Sequence, residues 1–383
     1  MVTAMKKLLL LLPLLLAATL QAANWGITSR EFKDFEIRGA AKGPTGFYLL
    51  AYTNRKTTVD QNITNYYTPK IVHLNAALNP VWELAFEESK VLTMKSVQVI
   101  GDRVYLAGSA YPAGLSGGAK ARLICTDLNG QLLWDRQYAY PSHHSLEAFQ
   151  LMASPGQDLL LLCTAYRGYS SMGYPMLMRL GPLGEQRWQK SVGTSYYYSN
   201  LGAGRITADG KVVLAGLVYP TVTQFKAESP TAWLVKLDFD QQGALIWEKK
   251  LAVAQQSYAS DVLPLPNGNL VVVGKAQDSQ DQSQNLCLVL AANGEILRKD
   301  SWGACDFASL EEMVAVPDGY FALGSCDVMN GHARISKTSL TIFDTAMNRV
   351  DELVIDAKVD SWMLPMDGGG LALVGRNAIV TVR

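Results

Sequence analysis

Short apolar runs alternate with turn residues along the chain, and seven of them end on a small residue: Ala51, Gly108, Cys163, Gly216, Gly274, Gly324 and Gly375. The steps between these positions are 57, 55, 53, 58, 50 and 51 residues. Recurrence near 50 residues, built from strand-like pieces, marks a blade or solenoid array. Within one unit, Ala259 to Gly274 holds two apolar runs joined by Asn267-Gly268, a strong hairpin signal. Matching turns stand at Asp209-Gly210, Asp318-Gly319, Asp367-Gly368, Gly101-Asp102, Pro155-Gly156 and Pro44-Thr45-Gly46. A third run (Trp233 to Leu237) and a fourth carrying Trp247 complete the unit. The pattern predicts an all-β fold: a seven-bladed β-propeller of four-stranded antiparallel blades.

The turn between third and fourth strands carries the more specific signal. Gly130-Gln-Leu-Leu-Trp134, Gly184-Glu-Gln-Arg-Trp188 and Gly243-Ala-Leu-Ile-Trp247 share one spacing. Leu78-Asn-Pro-Val-Trp82 keeps only the Trp, Gly294-Glu-Ile-Leu-Arg298 only the Gly, and Ala346-Met-Asn-Arg-Val350 neither. Glycine makes the turn, and a Trp at fixed offset buries a large flat surface against the next unit. In this motif the chain resembles the tryptophan-docked blades of quinoprotein-like propellers, a family that includes outer-membrane assembly scaffolds. More loosely, its units resemble WD40-type blades. The resemblance implies the ring architecture. Quinoprotein dehydrogenases hold their cofactor with a vicinal Cys-Cys pair and a calcium site. No two cysteines are adjacent here, and no cofactor or metal is expected.

At the N-terminus, Lys6-Lys7, the leucine-rich stretch from Leu8 to Leu20 and Ala22-Ala23 read as a secretory signal peptide over residues 1–23. The apolar part is short for a membrane span. No Cys follows it, so no lipid anchor is expected. The propeller then occupies 24–383, periplasmic or secreted. After Gly375 the chain supplies a third strand but no fourth. Asn24 to Phe32, with Trp25 in the Trp position, is expected to close the seventh blade and remove its open edges.

The 34 basic and 34 acidic side chains balance. Without basic runs, a nucleic-acid or anionic-membrane partner is not expected. Cys125, Cys163 and Cys287 lie in apolar strands and read as buried side chains. Cys305 and Cys326 flank one hairpin, and an oxidising compartment permits a disulfide between them.

Functional residues belong on the propeller face with long loops. Those loops are expected at Thr53 to Pro69, Ser109 to Lys120, Thr164 to Pro175, Leu217 to Pro230, Lys275 to Asn285 and Asp327 to Ser339. Tyr111, Tyr166 and Tyr219 occupy one repeat position there, three residues past the small-residue mark. Tyr196, Tyr197, Tyr198 and His143 lie in neighbouring segments. Tyrosine offers contact area at low entropy cost with a hydrogen-bonding tip, which suits protein or saccharide recognition. Arg38, Lys95, Glu147, Arg205, Asp261, Glu312 and Asp360 are expected to place one charge per blade around the central channel. No nucleophile motif or metal-ligand spacing stands out. The expected function is an exported, non-enzymatic binding or scaffold propeller. The alternative is a carbohydrate-active hydrolase or lyase that uses the channel-mouth carboxylates.

Overall fold

The apolar runs differ in how continuous they are, and that difference maps onto position within a blade. The computed structural model describes residues 27–59, 62–86, 92–111, 118–140, 145–154, 156–166, 173–193, 198–219, 229–278, 282–303, 305–330, 333–355, 362–366 and 370–382. Second strands such as Leu270–Gln277 are buried on both faces and read as near-unbroken apolar sequence. Inner strands such as Gln256–Pro264 alternate, and outer strands such as Ile296–Trp302 are largely exposed. A sheet whose middle is covered on both sides and whose rim is wet produces this gradient.

The described residues form 28 strands, in blades that each run antiparallel from inner to outer strand. Blade 1 comprises Glu36–Gly43, Gly46–Val59, Asn62–Leu74 and Pro80–Ala85. Blade 2 has Leu92–Ile100, Arg103–Ala110, Lys120–Asp127 and Leu132–Tyr138. Blade 3 has Ser145–Ala153, Leu159–Tyr166, Gly173–Leu180 and Gln186–Ser191. Blade 4 has Tyr198–Ile206, Val212–Tyr219, Thr231–Asp238 and Ala244–Leu251. Blade 5 has Gln256–Pro264, Leu270–Gln277, Ser283–Leu290 and Ile296–Trp302. Blade 6 has Phe307–Val316, Gly319–Asn330, Ala333–Phe343 and Arg349–Ile355. Blade 7 has Trp362–Pro365, Leu371–Val374 and Ala378–Val382, with Ile27–Glu31 outermost. Its two chain ends pair antiparallel, Ser29 opposite Val380. Each inner strand touches the next around the circle, and blade 7 returns to blade 1.

Seven apolar clusters fill the seven gaps between blades. The cluster joining both ends of the array sets Ala372, Val374 and Ile379 against Ile37, Phe47 and Leu49. Stability therefore resides between sheets, as in other repeat arrays.

The recurring small residue has a specific cause. Inner strands of blades 1 to 6 each carry a β-bulge, at Arg38, Lys95, Phe149, Gly202, Ser260 and Glu311. The residue before each bulge stands opposite the repeat mark: Ala51, Gly108, Cys163, Gly216, Gly274 and Gly324. The bulge drives the inner backbone into its neighbour. A Cβ on Gly216 would lie 2.0 Å from the Asn200 carbonyl oxygen, and one on Gly108 2.2 Å from that of Thr93.

The tryptophans dock blade on blade. The Nε1–H groups of Trp82 and Trp247 donate to the carbonyls of Leu128 and Ala292 in the following blade, each at 3.1 Å. Their rings, with those of Trp134 and Trp188, lie over Gly130, Gly294, Gly184 and Gly243 respectively. Those glycines hold left-handed φ values of 71° to 84°. Leu78 and Met347 take the same conformation in blades 1 and 6, with φ 63° and 65°. In blade 6 the unit therefore runs from Met347 to Asp351, one residue later than the spacing predicts.

Among the described residues, closure onto blade 1 runs through Arg30. The register sets Thr28 opposite Thr381, the place Trp holds elsewhere; Trp25 and residues 1–23 lie outside the described residues. Arg30 reaches across, donating from Nη1 to the Leu78 carbonyl and the Asn79 Oδ1, both at 2.9 Å. Arg298, standing in the Trp position of blade 5, does the same for blade 6 through the Met347 carbonyl and Asn348.

Cys305 and Cys326 form a disulfide, with their Cα atoms 5.6 Å apart. Cys125, Cys163 and Cys287 are buried thiols, as the sequence implies.

Candidate functional site

The inner strand of each blade (strand A) begins, and the second strand (strand B) ends, on one face, so residues past the repeat mark gather there. Two of the expected loops prove to be strand. In blade 1 the second and third strands stay paired out to Val59 opposite Asn62, and in blade 6 out to Asn330 opposite Ala333. Blades 1 and 6, which flank blade 7, thus carry long paired ladders where loops are expected.

Between them, over blades 2 to 5, runs a row of tyrosines. Tyr111 donates its hydroxyl to Glu147 Oε1 at 2.7 Å, and Glu147 Oε2 faces Lys95 Nζ at 3.4 Å. Tyr166 feels the charge of the same carboxylate and the neighbouring Tyr198. Tyr198 and Tyr219, opposite one another in register, have ring centroids 5.8 Å apart. Tyr219 shares a hydroxyl hydrogen bond with Tyr258 of the next blade. Lys275 then lies over the Tyr258 ring, Nζ 4.5 Å from its centroid. Beyond it, Arg334 in blade 6 pairs with Asp327 and lies 5.1 Å from the Phe307 ring.

The ionisation of this row follows from its partial burial. Burial, then the Glu147 bond, pushes the Tyr111 phenol well above its ordinary value. Tyr166 and Tyr198 are raised for the same first reason, and Tyr258 reaches about 12. Tyr111, Tyr166, Tyr198 and Tyr258 are thus neutral hydrogen-bonding tips at physiological pH.

The repeat position of Tyr111, Tyr166 and Tyr219 thus gathers three of the row's members. Tyr258 was missed because it sits on the inner strand, opposite Lys275 rather than at the repeat mark. Tyr196, Tyr197 and His143 lie outside the described residues, as does Asp360.

The charges expected around the channel do not share a repeat position. Arg38 and Lys95 are bulge residues, and Arg38 pairs with Glu36 at the surface. Glu147 stands two residues before its bulge and Arg205 three residues after. Asp261 and Glu312 immediately follow theirs. One residue of bulge moves a side chain along the strand and across the sheet, which a count along the sequence cannot register.

Asp261 and Glu312 instead hold the inner ring together. Asp261 Oδ2 accepts the Met313 amide of blade 6 at 3.1 Å and the Arg205 guanidinium at 2.7 Å. Glu312 Oε2 accepts the Met363 amide of blade 7 at 3.0 Å. Gln150, in the equivalent place, accepts the Gly204 amide at 2.9 Å. Burial, opposed by Arg205, raises the Asp261 carboxyl. Burial and the charge of Asp261 lift Glu312 to about 7. Among the described residues, no group of three or more potential ligands is placed to hold a metal ion.

Solved structures share this architecture. The β-propeller domain of the trilobed protease from Pyrococcus furiosus matches at 11% identity and a TM-score of 0.49, covering 91% of each chain. The protein YCF48, in a structure with D1 peptide bound, matches at 10% identity and a TM-score of 0.50. That match covers 93% of this chain and 94% of the other. No family model matches the chain, and no curated protein does. Fold and ring define the class, a β-propeller with a tyrosine-lined face.

Proposed function

We propose that this chain is an exported binding propeller that recognises a protein or saccharide partner across blades 2 to 5. The observation that carries the reading is the continuous row Tyr111, Tyr166, Tyr198, Tyr219 and Tyr258, anchored at one end by Glu147 and Lys95. Five half-buried aromatic rings with hydroxyl tips give contact area and directional bonds with little ordering cost. The disulfide supports export, since such bonds persist in oxidising compartments. A solved propeller of the same fold, YCF48, is bound to D1 peptide, which makes a protein segment a natural occupant here.

The test is a crosslinking pull-down from the native envelope with wild type and a Tyr166→Ala/Tyr198→Ala/Tyr219→Ala variant. Loss of the captured partner, with an unchanged melting temperature, is expected. Equal capture by both proteins overturns the reading.

A hydrolase or lyase is the second reading, favoured by one observation: Glu312 titrates near 7, close to the working pH that suits a general acid or base. Glu312 also serves as a backbone latch, so Glu312→Gln, which keeps the acceptor, is the discriminating variant. Turnover lost in a fully folded Glu312→Gln protein would establish the enzyme.

A further inference from the structure

Charged side chains near the inner ring come with counter-charges. Lys95 faces Glu147, Arg205 faces Asp261, Arg38 faces Glu36, and Arg334 faces Asp327. Lys275 breaks this rule. Its one described contact is the Tyr258 ring, and no carboxylate among the described residues lies within ion-pair distance. It is partly buried between Tyr258 and Asn285, its neighbours across the two strands. Arg334 adds a second positive field, enough with burial to lower the affinity of Lys275 for its proton.

An ammonium taken partly out of water without an anion is costly, and an incoming carboxylate relieves that cost through a charge-assisted hydrogen bond. The surroundings suit a peptide that carries such a group. Tyr258, Tyr219 and Tyr198 lead away from Lys275 as ring faces and hydroxyls in sequence. Arg334, whose charge reaches Lys275, has Met329 as its register partner, so the blade 6 hairpin adds an exposed apolar side chain on the same sheet face. A cation at the end of a tyrosine row fits a short extended segment with an acidic residue at one end.

We infer that Lys275 is the anion subsite of the binding face and that the partner presents an acidic, extended peptide, its carboxylate on Lys275 and its following residues along Tyr258, Tyr219 and Tyr198. This rests on the binding reading above.

The experiment titrates the full chain calorimetrically with an end-blocked hexaglutamate peptide, hexaserine with a free or amidated C-terminus, and hexagalacturonate. Hexaglutamate is expected to bind, weakening at least tenfold in Lys275→Met and recovering in Lys275→Arg. Binding should also weaken as salt is raised. Preference for free over amidated hexaserine would assign the subsite to a terminal rather than a side-chain carboxylate, still on Lys275. Equal hexaglutamate binding by wild type and Lys275→Met overturns the inference, as does binding of hexagalacturonate with the peptides ignored. Should the tyrosine variant lose native partner capture while Lys275→Met keeps it, the binding face stands and the anion subsite falls. Should the tyrosine variant keep it, the binding face itself falls.

Discussion

Gly274 lies so close under Tyr258 that a Cβ built on it would stand 1.9 Å from the Tyr258 carbonyl oxygen. The scaffold and the site meet at this pair. The bulge that follows at Ser260 forces the approach, and the Tyr258 side chain continues the recognition row. Gly274→Ala should lose about 1–3 kcal/mol, because the inner strand must shift away. A lowered urea midpoint with weakened partner binding checks both effects, and an unchanged midpoint would refute the bulge explanation of the repeat.

The docked tryptophans are not energetically equal. Trp247→Phe gives up the hydrogen bond to the Ala292 carbonyl and should cost about 1 kcal/mol beyond the lost ring area. The Nε1 of Trp134 is buried without a partner, so Trp134→Phe should omit that increment. Paired urea melts of the two variants check the contrast. Equal losses would mean that the indole N–H contributes nothing.

Ring closure should depend on Arg30. Its guanidinium makes two 2.9 Å bonds to the far side of the gap, and Arg30→Ala should destabilise by about 1–2 kcal/mol. The same change at exposed Lys33 serves as the control. Hydrogen exchange across Ala378–Val382 should rise in Arg30→Ala, and unaltered protection there would remove Arg30 from the closure.

Glu312 gives stability a defined pH dependence. Its carboxyl titrates near 7 in the fold against an ordinary 4.5, so between these values the folded chain holds more protons than the unfolded one. Stability then falls as pH rises through that window, by at most about 1.4 kcal/mol per pH unit. Asp261, shifted the same way, adds to the low end of the slope. In Glu312→Gln the slope between pH 5 and 7 should flatten, while a slope identical to wild type would show that another group is responsible.

The disulfide closes a span of 21 residues and should contribute about 3 kcal/mol. A Cys305→Ser/Cys326→Ser variant melted beside the oxidised protein measures it directly.

The period, the strand count and the joining of the two ends were legible in the sequence because turns punctuate every unit and a buried second strand leaves an unbroken apolar run. Cys305 with Cys326 was legible from the hairpin between them. The row of Tyr111, Tyr166 and Tyr219 was legible because strand B carries no bulge past its repeat mark. Positions on strand A were not. There a single extra residue, at Lys95 or Ser260, changes which side chain meets which neighbour while leaving composition untouched. Tyr258 and the latching role of Asp261 were hidden for that reason. Arg30 was hidden by the conspicuous Trp25, since an arginine doing a tryptophan's work leaves no motif. The long ladders past Thr53 and Asp327 read as loops because their polar, β-branched sequence lacks the apolar signature of the other strands.

Pairing of Ser29 with Val380 has a consequence in time as well as space. A ribosome releases the partner of the first strand only after the six blades between them have been made. Until then Ile27–Glu31 has nowhere to dock, and a nascent stack of sheets waits with both flanks bare. The young molecule is therefore most vulnerable to proteases and to sticking to its own siblings just before Ala378–Val382 emerges, and any chaperone that escorts it has its task set by that delay.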